Sequence, residues 1–199
     1  GLTPLQFDAR DSAAIAEVAA GLPTLDLLIL NAGNCEYMDL AEGFDGALFA
    51  RVIETNLVAT GHTLAAFLPR LASGSRLAIV SSSVSWLPLP RAEAYGASKA
   101  ALDYLAATLR LDLAALGIGV TLIRPGFVQT PLTAKNDFPM PCLVTVEEAS
   151  RAIMGGLAAG RHQIHFPRRF IWLLRLLGAL PTGLWLRLGR TLISKGSPS

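Results

Sequence analysis

The stretch LDLLILNAG, residues Leu25–Gly33, is a run of apolar side chains that ends in Asn, Ala and Gly. An apolar run of this length, bounded by turn-forming residues, is typical of a buried strand. Similar runs make five predicted strands in all, the others being LTPLQF (2–7), SRLAIVSSS (Ser75–Ser83), GVTLIRPG (Gly119–Gly126) and HQIHFP (His162–Pro167).

Longer Ala- and Leu-rich segments with helical periodicity alternate with these strands. The helix candidates are Ser12–Ala20, Phe44–Leu71, Tyr95–Leu116 and Val146–Ala159. Strands that are apolar on both faces and alternate with helices predict an α/β fold, a Rossmann-like doubly wound parallel sheet. The 199 residues, of which 52% are hydrophobic and 16% charged, are enough for one globular domain and exclude a disordered polymer.

Small or turn-forming residues follow three of the predicted strands. They are Asn31–Gly33, Ser81–Ser83 and Arg124–Gly126. Ligands bind open α/β sheets beyond the carboxyl ends of the strands. Although strand ends need turns in any case, three such ends together predict a binding site at this edge.

Tyr95 and Lys99 lie four residues apart in EAYGASKAAL, at the start of a predicted helix. Side chains at this spacing share one helix face, so the hydroxyl and the ammonium can act on one small volume. A neighbouring cation favours the phenolate, and we therefore expect Lys99 to lower the pKa of Tyr95. Taken alone, the same spacing also arises by chance on amphipathic helices.

Five motifs occur in a fixed order. They are NAG, an Asn 25 residues after Asn31, a Ser thirteen residues before Tyr95, YGASK and RPGFVQTP. This order resembles the short-chain dehydrogenase/reductase family, and the resemblance runs from about Phe7 to Leu132. It implies an enzyme that interconverts an alcohol and a carbonyl by hydride transfer with NAD or NADP.

The resemblance implies a role for each of four catalytic residues. Tyr95 would be the general acid/base, and Lys99 would lower its pKa and bind the nicotinamide ribose. Ser82, rather than Ser81 or Ser83, has the family's spacing from Tyr95 and would polarise the substrate carbonyl. Asn56 would hold a water in the proton relay to Lys99.

The resemblance also implies which residues bind the cofactor. Asp8 and Ala9 would lie beside the adenine ring, and Asn31, Ala32 and Gly33 beside the adenosine ribose. The nicotinamide side would be formed, together with Tyr95 and Lys99, by Pro125, Gly126, Val128 and Thr130.

The family's opening strand and Gly-rich phosphate-binding turn are not found in the 199 residues. LTPLQF matches the family's third strand, so we expect this chain to be a fragment that lacks the first two strands. The sequence of this chain then does not show whether the cofactor is NAD or NADP. Alternatively, the third strand pairs directly with the fourth.

Residues 1–165 are predicted to form the catalytic domain, and residues 166–199 a basic, apolar extension. All 15 acidic residues lie at or before Glu148. Residues 1–148 also contain nine basic residues, so their net charge is −6, and the other eight basic residues follow Glu148. Because the later arginines alternate with Leu, Ile and Trp, a nucleic-acid arm is excluded and a membrane surface or partner chain fits better. In GLWLRLGRTLISK, one predicted face holds Leu184, Trp185, Leu188 and Leu192, and another holds Arg187, Arg190 and Thr191.

The role of this extension stays open between peripheral membrane contact through residues 168–193 and packing against a second copy or the domain itself. The corresponding alternative function is a non-catalytic remnant that binds a membrane or a partner protein.

The residues after Thr130 predict an apolar cover over a small hydrophobic substrate, made by Phe138, Met140 and Leu143. These residues could equally serve ordinary packing. Cys35 and Cys142 are too few and too isolated for a disulfide framework or a metal site, which indicates a reducing compartment, the cytoplasm.

Overall fold

A computed structural model describes residues 3–194, with only the backbone for Thr182 and residues 190–194. Within these residues, four parallel strands form one sheet in chain order. They are β1 (Leu25–Leu30), β2 (Leu71–Val80), β3 (Gly119–Pro125) and β4 (Gln163–Phe166). The helices are α1 (Ser12–Ala20), α2 (Gly46–Ile53), α3 (Ala59–Phe67), α4 (Glu93–Ala114), α5 (Val146–Ala158), α6 (Arg168–Gly178) and α7 (Thr182–Ser194).

Helices cover the two faces of the sheet, as predicted for a Rossmann-like fold. On one face, Leu77 and Ile79 of β2 pack into a core with α1, α3 and α4. On the other face, Ala78 and Ile123 pack with α5 and β4. Because the strands are parallel, their carboxyl ends lie at the same edge of the sheet.

The predicted first strand is wrong over the described residues 3–7 of LTPLQF, which pair with no strand of the described chain. Pro4 has no N–H to donate to a neighbouring strand, and Leu5 is exposed. Phe7 instead stacks on Phe67 of α3, with ring centroids 6.5 Å apart. The alternative, in which this segment pairs with β1, is therefore also wrong.

The single helix predicted over Phe44–Leu71 is divided. Asp45 caps α2 by accepting a hydrogen bond from the backbone N of Leu48 at 2.9 Å. A π-helical turn, Glu54–Val58, separates α2 from α3, and Leu71 is already the first residue of β2. Such π turns are frequent at functional sites, and this one carries Asn56.

Helices α6 and α7 pack beside the segment that joins β2 to α4. Phe170, Ile171 and Leu174 of α6 form a buried cluster with Leu87, and Trp185 of α7 packs against it. No helix among the described residues is long and apolar enough to cross a membrane.

Candidate active site

Tyr95 lies at the start of α4, above the carboxyl end of β2, with its side chain partly buried. Ser81 and Ser82 follow β2 directly, and the Ser82 hydroxyl is near enough to the Tyr95 phenol to act on its pKa, which it lowers. Ser81 instead donates its hydroxyl hydrogen to the carbonyl of Lys99 at 3.0 Å. The fold thus brings Ser82 to the residue with which it was predicted to act.

Burial raises the pKa of Tyr95 to about 12, and the Ser82 hydroxyl only partly opposes this rise. The expected lowering by Lys99 is not found. The Lys99 ammonium lies 5.8 Å from the centre of the Tyr95 ring and donates to the Val80 carbonyl at 3.0 Å. Desolvation of the phenol therefore outweighs the cation, and Tyr95 holds its proton at neutral pH.

Lys99 is 5% exposed, which is rare for a lysine. Burial lowers its pKa to about 8, with Cys35 and Asp103 acting in the opposite direction. At neutral pH this side chain is still cationic, but only by a narrow margin.

Asn56 ties three elements together by hydrogen bonds. Its side-chain oxygen accepts from the backbone N of Asn34 at 2.8 Å, and its side-chain nitrogen donates to the Asn34 carbonyl at 2.9 Å and to Ser98 Oγ at 3.0 Å. Ser98 in turn donates to the Tyr95 carbonyl at 2.7 Å. Both amide hydrogens of Asn56 are thus used to hold the loop after β1 against α4, which makes Asn56 a positioning residue in this structure.

Asn34 and Ser98 were missed by the sequence analysis. A serine three residues after Tyr95 signals a hydrogen bond back to a helix carbonyl, which Ser98 makes. Asn34 carries no comparable local signal, since its partner Asn56 lies 22 residues away.

Gly33 lies between Asn56 and Lys99. A Cβ on Gly33 would come within 3.0 Å of Asn56 Oδ1 and 3.4 Å of Lys99 Nζ. Beside it, the buried Oδ1 of Asn34 has no hydrogen-bond partner among the described residues. A close-approach glycine, a buried lysine and a free acceptor fit the ribose and amide groups of a nicotinamide dinucleotide.

Asp8 and Ala9 precede α1. The Asp8 carboxylate accepts hydrogen bonds from Arg10, at 2.7 Å from Nη2, and this pairing lowers the pKa of Asp8 to about 2. Arg10 lies within electrostatic range of Glu54, in the same π turn as Asn56. Asp8 is a charged, solvent-facing residue just before α1.

Pro125 ends β3, and the backbone N of Gly126 donates to the Phe166 carbonyl at 2.7 Å. A Cβ on Gly126 would lie 2.9 Å from the ring of Phe170. The glycine is therefore required for α6 to pack against the end of β3.

Val128 and Thr130 lie in the loop after β3. Val128 forms an isolated parallel bridge with Val144. The Thr133 hydroxyl donates to the Val128 carbonyl at 2.6 Å and lies 3.2 Å from Thr130 Oγ1. The loop predicted to face the nicotinamide is thus fixed by local hydrogen bonds.

Aromatic side chains gather where the substrate cover was predicted. Phe138 meets Tyr37 edge to face at 5.3 Å between centroids and lies 6.1 Å from Phe127. Arg91 lies over the Tyr37 ring at 5.8 Å and pairs with Asp137 at 3.0 Å. Tyr37, which the sequence analysis did not single out, therefore joins Phe138 in an aromatic wall.

The other predicted cover residues are more peripheral. The sulfur of Met140 accepts a hydrogen bond from Asn136 at 3.2 Å, and Leu143 is exposed. Cys35 neighbours Tyr37, and burial raises the pKa of both groups. Cys35 is also within electrostatic range of Tyr95 and Lys99.

Comparison with known proteins gives consistent matches. The family model described as short chain dehydrogenase matches residues 2–139. An uncharacterized oxidoreductase of Myxococcus xanthus (strain DK1622) is 34% identical over 188 residues, which cover 92% of this chain and 74% of that protein. An 11-beta-hydroxysteroid dehydrogenase of Pinus massoniana is 29% identical over 162 residues, which cover 72% of this chain but only 45% of that protein.

The fold also matches a solved structure over most of its length. The crystal structure of a short chain dehydrogenase from Burkholderia cenocepacia J2315 in complex with NADP superposes with a TM-score of 0.82. The two chains are 26% identical, and the match covers 93% of this chain and 77% of the other.

Proposed function

This chain belongs to the short-chain dehydrogenase family, and from that premise we propose that it is an NAD(P)-dependent oxidoreductase that interconverts a small hydrophobic alcohol and its carbonyl. The observation that carries the proposal is the contact between Ser82 and the protonated Tyr95 phenol, one helical turn from the buried Lys99. These groups gather at the edge of the sheet where ligands of this fold bind.

A nicotinamide dinucleotide, when bound, supplies or accepts the hydride. Lys99 and the backbone around Gly33 would hold its ribose, and Val128 and Thr130 would line its nicotinamide. Asn31, Ala32, Asp8 and Ala9 would lie along the adenosine part. Because the Burkholderia relative was solved with NADP, NADPH is the first cofactor to test.

In the direction of reduction, Tyr95 transfers its phenolic proton to the carbonyl oxygen of the substrate. Its raised pKa keeps that proton in place until the oxygen becomes basic. Ser82 donates a hydrogen bond to the same oxygen and orients it, and the Ser82 hydroxyl, which acts to lower the pKa of Tyr95, also favours the phenolate left behind. Tyr37 and Phe138 offer the substrate an apolar wall, which favours hydrophobic carbonyls.

The test combines cofactor binding with turnover. Calorimetric titration of NADPH and NADH into the folded chain measures binding, and loss of NADPH absorbance with benzaldehyde or cyclohexanone measures reduction. We expect Tyr95→Phe to lower turnover by about 10²- to 10⁴-fold, the range of a lost general acid, while the cofactor still binds. Tyr104→Phe is the matched control, since Tyr104 is an exposed tyrosine on the same helix.

Turnover by Tyr95→Phe at the parent rate would contradict the catalytic proposal. A folded chain that binds neither dinucleotide would support the alternative, a non-catalytic protein that acts through its basic extension, residues 166–199. One observation favours that second candidate, namely the exposed apolar side chains of α6.

A further inference from the structure

Helix α6 has apolar side chains on two opposite faces. Its inner face, Phe170, Ile171 and Leu174, is buried against the domain. Its outer face carries Trp172, Leu173 and Leu176, which are 64%, 51% and 68% exposed. The inner face alone is enough to attach the helix, so folding does not account for the outer one.

Helix α7 adds to the exposed apolar surface. Trp185, predicted to share an outward face with Leu184, packs inward instead and donates its Nε1 hydrogen to the Pro88 carbonyl at 3.1 Å. Leu184 and Leu186 remain 46% and 56% exposed. The predicted positions Arg190, Thr191 and Leu192 lie outside the described side chains.

The charged residues of α6 and α7 are all arginines. Arg168 and Arg169 begin α6, Arg187 is exposed on α7, and no acid follows Glu148 in the sequence. Arg169, Trp172, Leu173 and Leu176 follow the spacing i, i+3, i+4 and i+7, so an arginine lies in line with the exposed apolar side chains. Arg175 is held over Trp172, 5.9 Å from the ring centre.

We propose that the outer face of α6, a docking surface defined by Arg169, Trp172, Leu173 and Leu176, docks on an anionic lipid surface. Tryptophan and leucine on one side and arginine around them are the composition of helices that lie in a membrane interface. Long arginine side chains extend to the headgroups while apolar neighbours enter the acyl boundary. The sequence of these helices contains arginines and no acid, which complements anionic headgroups, whereas residues 1–148 carry a net charge of −6.

The docking surface is firmly attached to the domain. A Cβ on Gly178 would lie 2.7 Å from the backbone oxygen of Trp86, so the end of α6 touches the main chain there. The Trp86 ring lies between the guanidinium groups of Arg124 and Arg175, at 4.8 and 4.6 Å. Docking therefore requires no rearrangement of α6, and the inference does not depend on the proposed enzymatic function.

The test is co-sedimentation of the full chain with vesicles of phosphatidylcholine alone and of phosphatidylcholine mixed with phosphatidylglycerol. We expect the parent to bind the anionic vesicles at low salt and to be released by high salt. Replacing Trp172, Leu173 and Leu176 together by Ser should lower the partition coefficient by about tenfold or more. Arg168→Gln with Arg169→Gln should remove most of the preference for phosphatidylglycerol.

Two controls separate lipid docking from other causes. Tyr104→Ser with Leu111→Ser removes exposed apolar side chains from α4 and should leave vesicle binding unchanged. Quenching of tryptophan fluorescence by brominated lipid should fall sharply in Trp172→Phe, because Trp172 is the tryptophan on the docking surface.

The proposal is overturned if the parent does not bind anionic vesicles at low salt, or if the triple serine variant, folded by circular dichroism, binds them as the parent does. If the parent binds neutral vesicles as strongly as anionic ones, and salt does not release it, the proposed preference for anionic lipid is overturned. If the parent forms a dimer, the triple variant does not, and neither binds vesicles, the surface is assigned to contact with a second copy of the chain instead.

Discussion

The carboxyl edge of the sheet and helix α6 depart from the usual distribution of side chains in opposite directions. At the sheet edge a lysine and an asparagine are buried, with Lys99 5% and Asn56 0% exposed. On α6 a tryptophan and two leucines face outward. Lysines are almost never fully buried without a partner, whereas exposed apolar side chains are normal singly but not as a stripe.

The difference lies in how each departure is accommodated. The buried polar groups are satisfied by hydrogen bonds, such as those from Lys99 to Val80 and from Asn56 to Ser98. The exposed apolar groups of α6 gain nothing from the fold that contains them. Changes at the sheet edge should therefore alter folding stability, whereas changes on the outer face of α6 should alter binding alone.

The largest expected effect on stability is that of Asn56→Ala. This change leaves the backbone N and O of Asn34 without their side-chain partner and removes the hydrogen bond donated to Ser98 Oγ. We therefore expect a loss of about 2–4 kcal/mol in the free energy of unfolding. Urea denaturation measures it. Asn31→Ala is the matched control, because Asn31 is exposed and should change stability by less than about 0.5 kcal/mol. Equal losses of stability in the two variants would show that the hydrogen bonds of Asn56 do not stabilise the fold.

Gly178→Ala should have the next largest effect. Its new methyl group would meet the Trp86 backbone, so we expect the inner attachment of α6 to loosen, with a loss of about 1–3 kcal/mol. Gly183→Ala in α7 has open space around the new Cβ and should be neutral or slightly stabilising. Thermal unfolding of both variants measures the difference, and a Gly178→Ala protein as stable as the parent would show that α6 is not held by close packing.

Lys99→Met should give the smallest change in the free energy of unfolding, and we expect a gain in stability instead of a loss. Removing a desolvated charge relieves the burial penalty, while the Val80 carbonyl loses its donor, so we expect a net gain of about 1–2 kcal/mol at neutral pH. Activity should be lost. Lys135→Met, at an exposed lysine, is the control and should leave stability nearly unchanged.

The pH dependence of the Lys99→Met gain follows from the lowered pKa. The pKa of Lys99 is about 8 in the folded chain against an ordinary 10.5, so between these values the unfolded chain binds more protons. Parent stability therefore rises with pH across this window, and the advantage of the variant shrinks. A gain that stays constant from pH 8 to 10 would show that the ammonium is not desolvated.

Much of the fold could be predicted because its signals are local. Asp11 caps α1 within its own turn, and Thr145 and Glu148 form a capping box at the start of α5. The four observed strands were visible as apolar runs, and Tyr95 and Lys99 as residues on one helix face. LTPLQF was misread because an apolar run predicts a strand only where a neighbour can pair with it.

By itself, the sequence determined the layered α/β fold and the shared helix face of Tyr95 and Lys99, since these depend on periodicity and spacing. The candidates Ser82 and Asn56 came from the resemblance to the family. Only the tertiary structure decided that burial raises the pKa of Tyr95, that Asn56 binds Asn34 and Ser98, and that Trp185 faces inward. Desolvation and hydrogen-bond partners are set by residues distant in the chain, and no local pattern records them.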